Sequence, residues 1–414
     1  MHGSKEASAG AVGRDSAQPA GAPTDWWLVG GVVTAGIAAS LQIGKAAIAI
    51  PLLQAEMGYD LAVLGWVSSI FAVLGLFGGV PVGALAMRFG DRRMLLLGLM
   101  LLVLGSALGA GTSGLWPLLG CRVVEGAGFV MVSVSGPALL RRCVGEGDRE
   151  IAMALWSCFM PAGMALAMLL GPLFGGWRAI WLAGSAFALA AALAVLLRVP
   201  AGAGGARISW RGLAADAGRV FLSRTPMLLA FCFALYAMMF FAVFSFLPVL
   251  LIERMGSSLA LAGLLGAVAT GGNIIGNLLA GLLLRRGVDR SLLLAMASAA
   301  MGLAALFVFL PLPPAAGAVL CCVLFGMAGG FIPATLLSTA TAITPRATLV
   351  PATIGLLMQG SNLGQVLGPA VVGLVISSIG WSGAAGLVAL LALLAMLAAI
   401  ALRADIARVG RAGT

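Results

Sequence analysis

The chain has 414 residues, of which 61% are hydrophobic and 9% are charged, and its formal net charge is +10. Soluble domains carry about 25% charged residues, and a soluble fold of this length has too little interior to bury so many apolar side chains. The composition therefore excludes an ordinary soluble enzyme and indicates a protein whose solvent is lipid.

The residues that could carry chemistry exclude further classes of site. His2 is the only histidine, which excludes His-ligated metals, histidine proton relays and Ser–His–Asp catalysis. The six cysteines form no CxxC pair, so neither a zinc site nor a disulfide framework is indicated. We therefore expect no enzyme, no cofactor and no metal. The positive charge lies in short loops, so we also expect no nucleic-acid partner.

Residues 1–25 are rich in Gly, Ala, Ser and Pro and predict a disordered cytoplasmic tail. Apolar runs of about 20 residues follow, the length that a helix needs to cross about 30 Å of hydrocarbon. Strands of a membrane barrel would instead alternate over about ten residues. The runs predict an all-α polytopic membrane protein with twelve transmembrane helices, numbered spans 1 to 12, at 28–52, 62–87, 94–111, 115–140, 152–174, 177–197, 227–251, 259–284, 291–310, 315–340, 351–376 and 383–402.

The positive charges of the loops predict the orientation of these spans. Of the 24 lysines and arginines, only Arg178 and Arg254 lie in loops of one side, and Lys45 and Arg122 lie within spans; all others are on the opposite side. Loops rich in Lys and Arg stay in the cytoplasm, so both termini are predicted to be cytoplasmic. The preference for Arg over Lys and the abundance of Ala, Gly and Leu favour a bacterial inner membrane.

The longest predicted internal loop divides the spans six and six. We predict an N-terminal six-helix bundle at 26–198, a cytoplasmic linker at 199–225, a C-terminal six-helix bundle at 226–402 and a cytoplasmic tail at 403–414. Apolar residues at helical spacing in the linker are typical of a short helix on the inner membrane surface. An irregular basic linker is the alternative.

Two landmarks of the first half recur in the second. Gly171-Pro172 in span 5 returns as Gly368-Pro369 in span 11, and GALAMRFGDRR from Gly83 returns as GLLLRRGVDR from Gly281. Both pairs are separated by nearly the same number of residues, close to half the chain. The sequence therefore predicts two pseudo-symmetric bundles, the organisation of transporters whose halves rock about a central site.

Polar residues at membrane depth are costly and are therefore functional candidates. Apart from Arg178 at the outer end of span 6, spans 3, 6, 9 and 12 contain no charged residue, Asn or Gln, and we expect them to face lipid. The candidates lie elsewhere, where we expect a cavity: Gln42 and Lys45 on span 1, Arg122 and Glu125 on span 4, Tyr236 on span 7, Asn273 and Asn277 on span 8, and Gln359 and Asn362 on span 11. The Asn and Gln residues either contact substrate or bond between helices. Tyr236 belongs to an aromatic stripe that walls the cavity, packs in the core or faces lipid.

The loop after span 2 resembles the loop signature of the major facilitator superfamily, which reads Gly-x-Leu-Ala-Asp-Arg-x-Gly-Arg-Lys. It is matched by Gly83, Leu85, Ala86, Arg88, Gly90 and Arg92. Met87 stands where the family has the Asp that helps to lock the two halves at the cytoplasmic side, and Asp91 is the candidate substitute. The resemblance implies a gating role for this loop.

Two further motifs resemble the same superfamily. RVVEGAG in span 4 resembles the buried Arg-x-x-Gln/Glu-Gly motif, and it supplies Arg122, Glu125 and Gly126. GPLFGG in span 5 resembles the Gly-Pro-x-x-Gly-Gly signature of proton-coupled exporters, and it supplies Gly171, Pro172, Gly175 and Gly176. The glycines of both Gly-Pro motifs are expected to let spans 5 and 11 pack closely and bend where the halves meet. The stretch from span 4 to span 6 is also similar to the branch of cyanate and nitroimidazole transporters.

Spans 1 and 4 line the central cavity in this superfamily, so we expect Lys45, Arg122 and Glu125 to form one cluster there. Arg122 and Glu125 are one turn apart and share a helix face. Our hypothesis is that Glu125 takes and releases the coupling proton, while the two cations hold an anionic or polar group of the substrate. The alternatives are a static Arg122–Glu125 ion pair and, for Lys45, snorkelling to the outer interface.

The resemblance implies a secondary transporter, working as a monomer, that exports a small organic compound in exchange for protons. A drug, a metabolite or a siderophore-like chelator would fit. The alternative is uptake of a small anion such as cyanate, nitrate or a carboxylate. Lys45 and the lack of an acidic residue in span 1 favour this alternative.

Overall fold

A computed structural model of the protein describes residues 24–145, 148–200, 218–310, 315–343 and 349–412, and all regular elements within these ranges are helical. Two predicted spans are broken. Span 2 is Leu61–Ser69 and Val73–Phe89 with a 3-10 turn between them, and span 5 is Arg149–Ser157 and Phe159–Leu170 followed by the 3-10 turn Gly171–Phe174. The others are continuous: Trp26–Met57, Asp91–Ala110, Leu115–Cys143, Trp177–Arg198, Arg224–Met255, Leu259–Arg285, Arg290–Phe309, Ala315–Ile343, Val350–Ile379 and Trp381–Ala412.

Eleven of the described helices are long and apolar enough to cross a membrane, and span 5 makes twelve when its two parts, which meet at 42°, are counted together. The predicted all-α polytopic fold class is therefore confirmed. The helix of span 12 continues through Ala412, into the segment 403–414 that we predict to be a cytoplasmic tail. Most of the predicted N-terminal tail (1–23) and of the linker, with its proposed interfacial helix (201–217), lies outside the described residues.

Local signals fix the short connections between spans. The side chains of Asp25, Asp60, Ser258 and Asp289 accept hydrogen bonds from the first turns of spans 1, 2, 8 and 9. Such N-caps satisfy backbone N–H groups that have no partner inside the helix. Spans 1 and 7 end at Gly58 and Gly256, whose φ angles of 70° and 59° lie in the left-handed region that favours glycine. These stop signals allow adjacent spans to run antiparallel through tight turns.

Small residues bring the spans of each half together. In the C-terminal half, Gly360, Gly364 and Gly368 of span 11 pack directly against the backbone of span 7. In the N-terminal half, Gly44 of span 1 and Gly163 of span 5 pack against each other's helix in the same way. Close packing of this kind is the usual source of helix association in lipid, where apolar burial alone gives no preference.

Spans 3 and 6 pack against each other on the flank of the N-terminal half, and spans 9 and 12 do so on the flank of the C-terminal half. Leucines on all four spans are about half exposed, among them Leu104, Leu182, Leu303 and Leu397. Apolar surface of this kind is what a bilayer solvates, so these flanks are positioned to contact lipid.

The two halves meet mainly through two pairs of spans, 2 with 11 and 5 with 8, and to a smaller extent through spans 1 and 7. A Cβ on Gly65 would stand 2.6 Å from the carbonyl oxygen of Pro369, so span 2 approaches span 11 at backbone distance. Gly263 of span 8 is similarly close to the carbonyl oxygen of Met168 and to the ring of Pro172 on span 5. These contacts lie in the halves of the spans nearest the predicted outer side, so the structure is closed on that side.

Gly126 is one of the positions where we expect the packing to be least tolerant of a side chain. A Cβ there would collide with the carbonyl oxygen of Phe71 on span 2, and backbone cannot move aside as a side chain can. We expect Gly126→Leu to destabilise the protein by at least the ~1–3 kcal/mol typical of an overpacked core. Gly120→Leu on the same span is the matched control, because a Cβ on Gly120 has no neighbour within 4 Å. Thermal melting of both variants in detergent measures the difference, and equal melting temperatures would contradict the expectation.

Candidate functional site: a sealed ion cluster in the N-terminal half

The structure brings Lys45, Arg122 and Glu125 together in the interior of the N-terminal half. All three residues have 0% exposed surface. Lys45 Nζ lies 2.7 Å from Glu125 Oε1, and Arg122 Nη1 is paired with the other carboxylate oxygen, Oε2. One carboxylate therefore bridges two cations, and the cluster carries a formal net charge of +1.

The Arg122 guanidinium is held from three sides. Its Nε donates to the carbonyl oxygen of Val67 at 2.9 Å, and its Nη1 donates to that of Gln42 at 2.8 Å. The guanidinium carbon lies 4.5 Å from the centre of the Phe71 ring. Its Nη2 is buried without a hydrogen-bond partner among the described residues. One donor of the cluster is thus left unsatisfied in this state.

Lys45 does not snorkel to an interface. Its Nζ donates to Ser106 Oγ at 2.5 Å and lies 4.5 Å from the centre of the Trp181 ring. Ser106 in turn donates to the carbonyl oxygen of Trp181 at 2.8 Å, and the amide of Gln42 donates to the carbonyl oxygen of Gly184 at 3.1 Å. The ammonium group is therefore enclosed by spans 3 and 6.

Small residues make room for the cluster. A Cβ on Gly105 would stand 2.8 Å from Glu125 Cγ, so span 3 can approach span 4 only with glycine there. Gly98 of span 3 and Gly128 of span 4 pack against each other in the same manner. A buried ion pair needs its full set of partners, because leaving one charge uncompensated costs about 3–5 kcal/mol. The packing of spans 2, 3 and 4 therefore fixes the cluster as a unit.

The location of the cluster differs from the cavity that the resemblance implies. The side chains lie on spans 1 and 4, but their charged atoms contact spans 2, 3 and 6 of the same half. They have no exposed surface at the interface with the C-terminal half. In this closed-outside structure the cluster is a sealed interior site.

The equivalent place in the C-terminal half is aromatic. Gly326 of span 10 packs on the carbonyl oxygen of Ala269 as Gly126 of span 4 packs on that of Phe71. The residue before each glycine is Phe325 in one half and Glu125 in the other. Phe325 packs against Phe244 of span 7, with 5.9 Å between the ring centres. In the N-terminal half the corresponding contact is the ion pair of Glu125 with Lys45. The fold is two-fold symmetric here, but at this place the charged residues occur only in the N-terminal half.

The aromatic stripe of span 7 packs in the core. Phe233, Tyr236, Phe240 and Phe244 are all buried, with successive ring centres 4.5 to 6.0 Å apart. Asn273 donates to the Tyr236 hydroxyl at 3.2 Å, and Asn277 donates to Asn273 Oδ1 at 2.9 Å. The asparagines of span 8 thus bond within the C-terminal half.

Asn362 and Gln359, the two candidates on span 11, have different surroundings. The Asn362 amide donates to the carbonyl oxygen of Gly75 on span 2 at 3.2 Å and to that of Met358 at 2.8 Å. It therefore bonds the two halves near the middle of spans 2 and 11. Gln359 lies half-buried almost one turn away on span 11.

The loop motif after span 2 acts within the N-terminal half in this structure. Gly90 has a φ of 93°, which favours glycine and turns the chain between spans 2 and 3. Asp91 is buried in the first turn of span 3, where a carboxylate is favoured by the helix dipole. Arg92 donates to the carbonyl oxygen of Leu196 at 2.9 Å, which ties span 3 to span 6. Arg88 is exposed beside the ring of Phe89; the surroundings of Gly83 and Met87 lie outside the described part of the chain.

The two Gly-Pro motifs divide their contacts between the halves. Gly171 packs on Ile48, and Gly368 packs on the backbone of span 7 at Met238, each within its own half. The prolines reach the other half: Pro172 lies against Gly263, and the carbonyl oxygen of Pro369 lies against Gly65. The motif in span 5 then ends at Gly175, with a φ of 71°, and Gly176 precedes span 6. The prolines therefore lie at the contact between the halves, whereas Gly171 and Gly368 pack within their own halves.

Sequence reasoning missed the residues that enclose the cluster. Ser106 and Trp181 lie on spans 3 and 6, whose charged residues are confined to the helix ends and which contain no Asn or Gln. Serine and tryptophan are common in membrane helices, so neither residue gave a signal in one sequence. Among the described residues no group of three or more His, Cys, Asp or Glu side chains could hold a metal ion.

Comparisons with known proteins agree with this architecture. The chain matches the family model of the Major Facilitator Superfamily over residues 28–349. It is 35% identical over 159 residues to a chloramphenicol resistance protein of Streptomyces lividans, a segment that covers 37% of this chain and 40% of that protein. It is 29% identical over 168 residues to the arabinose-proton symporter of Escherichia coli K12, which covers 40% of this chain and 35% of that protein. These alignments span well under two thirds of the relatives' lengths.

Two solved structures share the fold over nearly the whole chain. The nucleoside transporter NupG superposes with a TM-score of 0.74 at 15% identity and covers 91% of this chain and 99% of its own. A bacterial homologue of the human lysosomal transporter Spinster, in an inward-facing and unoccupied conformation, gives 0.70 at 18% identity and covers 92% and 96%. With the twelve apolar spans and the family match, the chain belongs to the Major Facilitator Superfamily of multi-pass membrane transporters and is not an enzyme.

Proposed function

We propose that this transporter exports a small organic compound in exchange for protons, and that Glu125 is the group that carries the proton. The observation that carries this proposal is the sealed cluster: one carboxylate between two cations, with no exposed surface. An ionisable group at this depth is costly, and it is retained where a pathway uses it. Among the relatives, the chloramphenicol resistance protein and a multidrug efflux pump of Mycolicibacterium smegmatis support export.

Protonation of Glu125 would change the balance of charge within the cluster. A neutral carboxyl would leave Lys45 and Arg122 as two adjacent cations without a counter-charge, which is strongly unfavourable in a buried site. The cations would then be released toward another acceptor, such as a polar or anionic group of the substrate. Arg122 Nη2, which has no partner among the described residues, is the first donor available for it. Loss of the proton would restore the closed cluster.

A second candidate function is uptake of a small anion. The arabinose-proton symporter and a 4-hydroxybenzoate transporter of Pseudomonas aeruginosa are also among the relatives, so import occurs among proteins similar to this one. The resistance and efflux proteins among the relatives support export over this alternative.

The orientation and the working unit are part of the same proposal. Both termini are cytoplasmic in a bacterial inner membrane, which the distribution of Lys and Arg between the loops supports. The protein works as a monomer, because one chain supplies both rocking halves. No other macromolecule is needed for transport.

Everted membrane vesicles test the direction and the coupling. The test panel contains chloramphenicol, arabinose, 4-hydroxybenzoate and chelating compounds. We expect vesicles with an acidic lumen to accumulate at least one of these compounds, and we expect the accumulation to stop when the pH gradient is collapsed. Protease access to a carboxyl-terminal tag in the same vesicles checks the orientation. Uptake confined to right-side-out vesicles would overturn export and support the anion importer.

A further inference from the structure

We propose that Trp181, held by Trp177 and Glu56, is a fixed barrier that closes the direct path along span 6 from the predicted outer surface to Glu125, so that protons reach this carboxylate only from its Phe71 side. The proposal rests on the proposed function, because it concerns access to the same carboxylate. It assigns a role to residues of span 6, which line neither the interface between the halves nor any part of the loop motifs.

The barrier begins at the ion cluster. The Trp181 ring covers the Lys45 ammonium at 4.5 Å, and its carbonyl oxygen accepts from Ser106, which also contacts Lys45. Trp181 is fully buried, and its indole N–H has no hydrogen-bond partner among the described residues. Gly109 of span 3 lies flat against the indole, since a Cβ there would be 2.8 Å from its Cδ1. The ring therefore acts as an apolar wall that fills the space beside the cluster.

The wall continues to the surface. Trp177, one turn nearer the predicted outer side, meets Trp181 edge to face at 5.7 Å between ring centres and is 1% exposed. Its indole N–H donates to Glu56 Oε2 at 2.8 Å, and the other oxygen of Glu56 is paired with Arg178 at 2.6 Å. Glu56 is at the end of span 1 and Arg178 at the start of span 6. The contacts run without a break from the outer surface to Lys45.

The opposite side of the cluster is covered differently. Phe71 stacks on Arg122, and further aromatic rings follow it through Phe129 to Phe159 at separations of 5.2 and 6.4 Å. Phe159 is the first residue after the break at Cys158, where span 5 bends by 42°. Span 5 also contacts the other half of the protein. Phe71 lies in the 3-10 break of span 2, which also contacts the other half, and Phe159 lies at the break of span 5. Two of the three rings of this cover are therefore on broken spans that can move when the halves rock, whereas Trp177 and Trp181 lie on one unbroken helix.

This asymmetry decides the route of the proton. A barrier built on a rigid helix stays closed in both states of the transport cycle, and a cover built on a bent helix opens in one of them. Glu125 therefore exchanges its proton on the Phe71 side only. A carboxylate open to both sides at once would leak protons without moving substrate.

The test measures proton leak in the absence of substrate. The full-length protein is reconstituted in liposomes that contain a pH-sensitive dye, the membrane potential is clamped, and a pH gradient is imposed. We expect Trp181→Ala to increase the leak several-fold over the unmodified protein. Trp116→Ala is the matched control, because Trp116 is 80% exposed and its loss removes no contact with the cluster. Trp181→Leu serves as a second variant if the alanine variant does not insert.

The double variant Trp181→Ala/Glu125→Gln identifies the route of the leak. We expect its leak to return to that of the unmodified protein, since Gln cannot pass a proton on. A leak in Trp181→Ala and Trp181→Leu no larger than in Trp116→Ala would overturn the proposal, and so would a leak that survives Glu125→Gln. Failure of the proposed function shows separately, as normal proton-driven transport in Glu125→Gln alone.

Discussion

Glu125→Gln should abolish proton-driven transport while the protein still inserts in the membrane. Glutamine keeps the size of the side chain, and its one amide oxygen can accept from either Lys45 or Arg122, but it cannot gain and lose a proton. Groups that transfer protons typically contribute about 10²–10⁴-fold to a rate, so we expect a loss of roughly hundredfold or more. Flux into proteoliposomes with and without a pH gradient measures it.

A control for Glu125→Gln has to separate the loss of the proton site from the change in the net charge of the cluster. Glu125→Gln leaves two buried cations, which destabilises the protein for reasons unrelated to transport. The double variant Lys45→Met/Glu125→Gln restores the formal net charge of +1, so we expect its stability to recover while its proton-driven transport stays absent. Glu253→Gln is the matched change at an exposed carboxylate, outside both the cluster and the Trp181 barrier, and should retain transport. Proton-driven transport by Glu125→Gln at the normal rate would refute the role of Glu125.

Side chains at the glycines between the halves should open the predicted outer side. Gly65→Val adds atoms where a Cβ is already 2.6 Å from the carbonyl oxygen of Pro369, and Gly263→Val does the same at Met168 and Pro172. Overpacking of this kind costs about 1–3 kcal/mol, and here the cost falls only on the closed-outside state. Since 1.4 kcal/mol is a factor of ten, we expect the population to shift by roughly tenfold or more toward the open-outside state.

Reporter pairs across the outer contact measure this shift. Spin labels at Ala62 and Ser377, whose backbone N–H and side-chain hydroxyl are hydrogen bonded at 3.2 Å, should move apart in both valine variants. Gly79→Val on span 2 and Gly271→Val on span 8 are the matched controls, because a Cβ on either glycine has no neighbour within 4 Å. An unchanged distance distribution in Gly65→Val and Gly263→Val would mean that these contacts do not set the conformation.

Much of the cluster could be predicted because two of its three residues are close in sequence. Arg122 and Glu125 are one turn apart on one helix, so their pairing follows from spacing alone. Lys45 could be added because an isolated lysine at membrane depth needs a partner. The direction of these side chains could not be predicted, because a helix in lipid that is apolar on every face gives no signal for its rotation. Their contacts with Ser106, Trp181 and Phe71 depend on that rotation.

The sequence by itself determined the twelve spans, their two-fold repeat and the presence of a buried cation–carboxylate group. The physical reason is that length, hydropathy and charge act locally, and lipid imposes its requirements on each helix separately. The tertiary structure alone decided that the cluster is sealed within one half, that its counterpart around Phe244 and Phe325 is aromatic, and that Gly65 and Gly263 join the halves. These features depend on which residues of distant segments meet, and such meetings are set by the packing of whole helices rather than by any one segment.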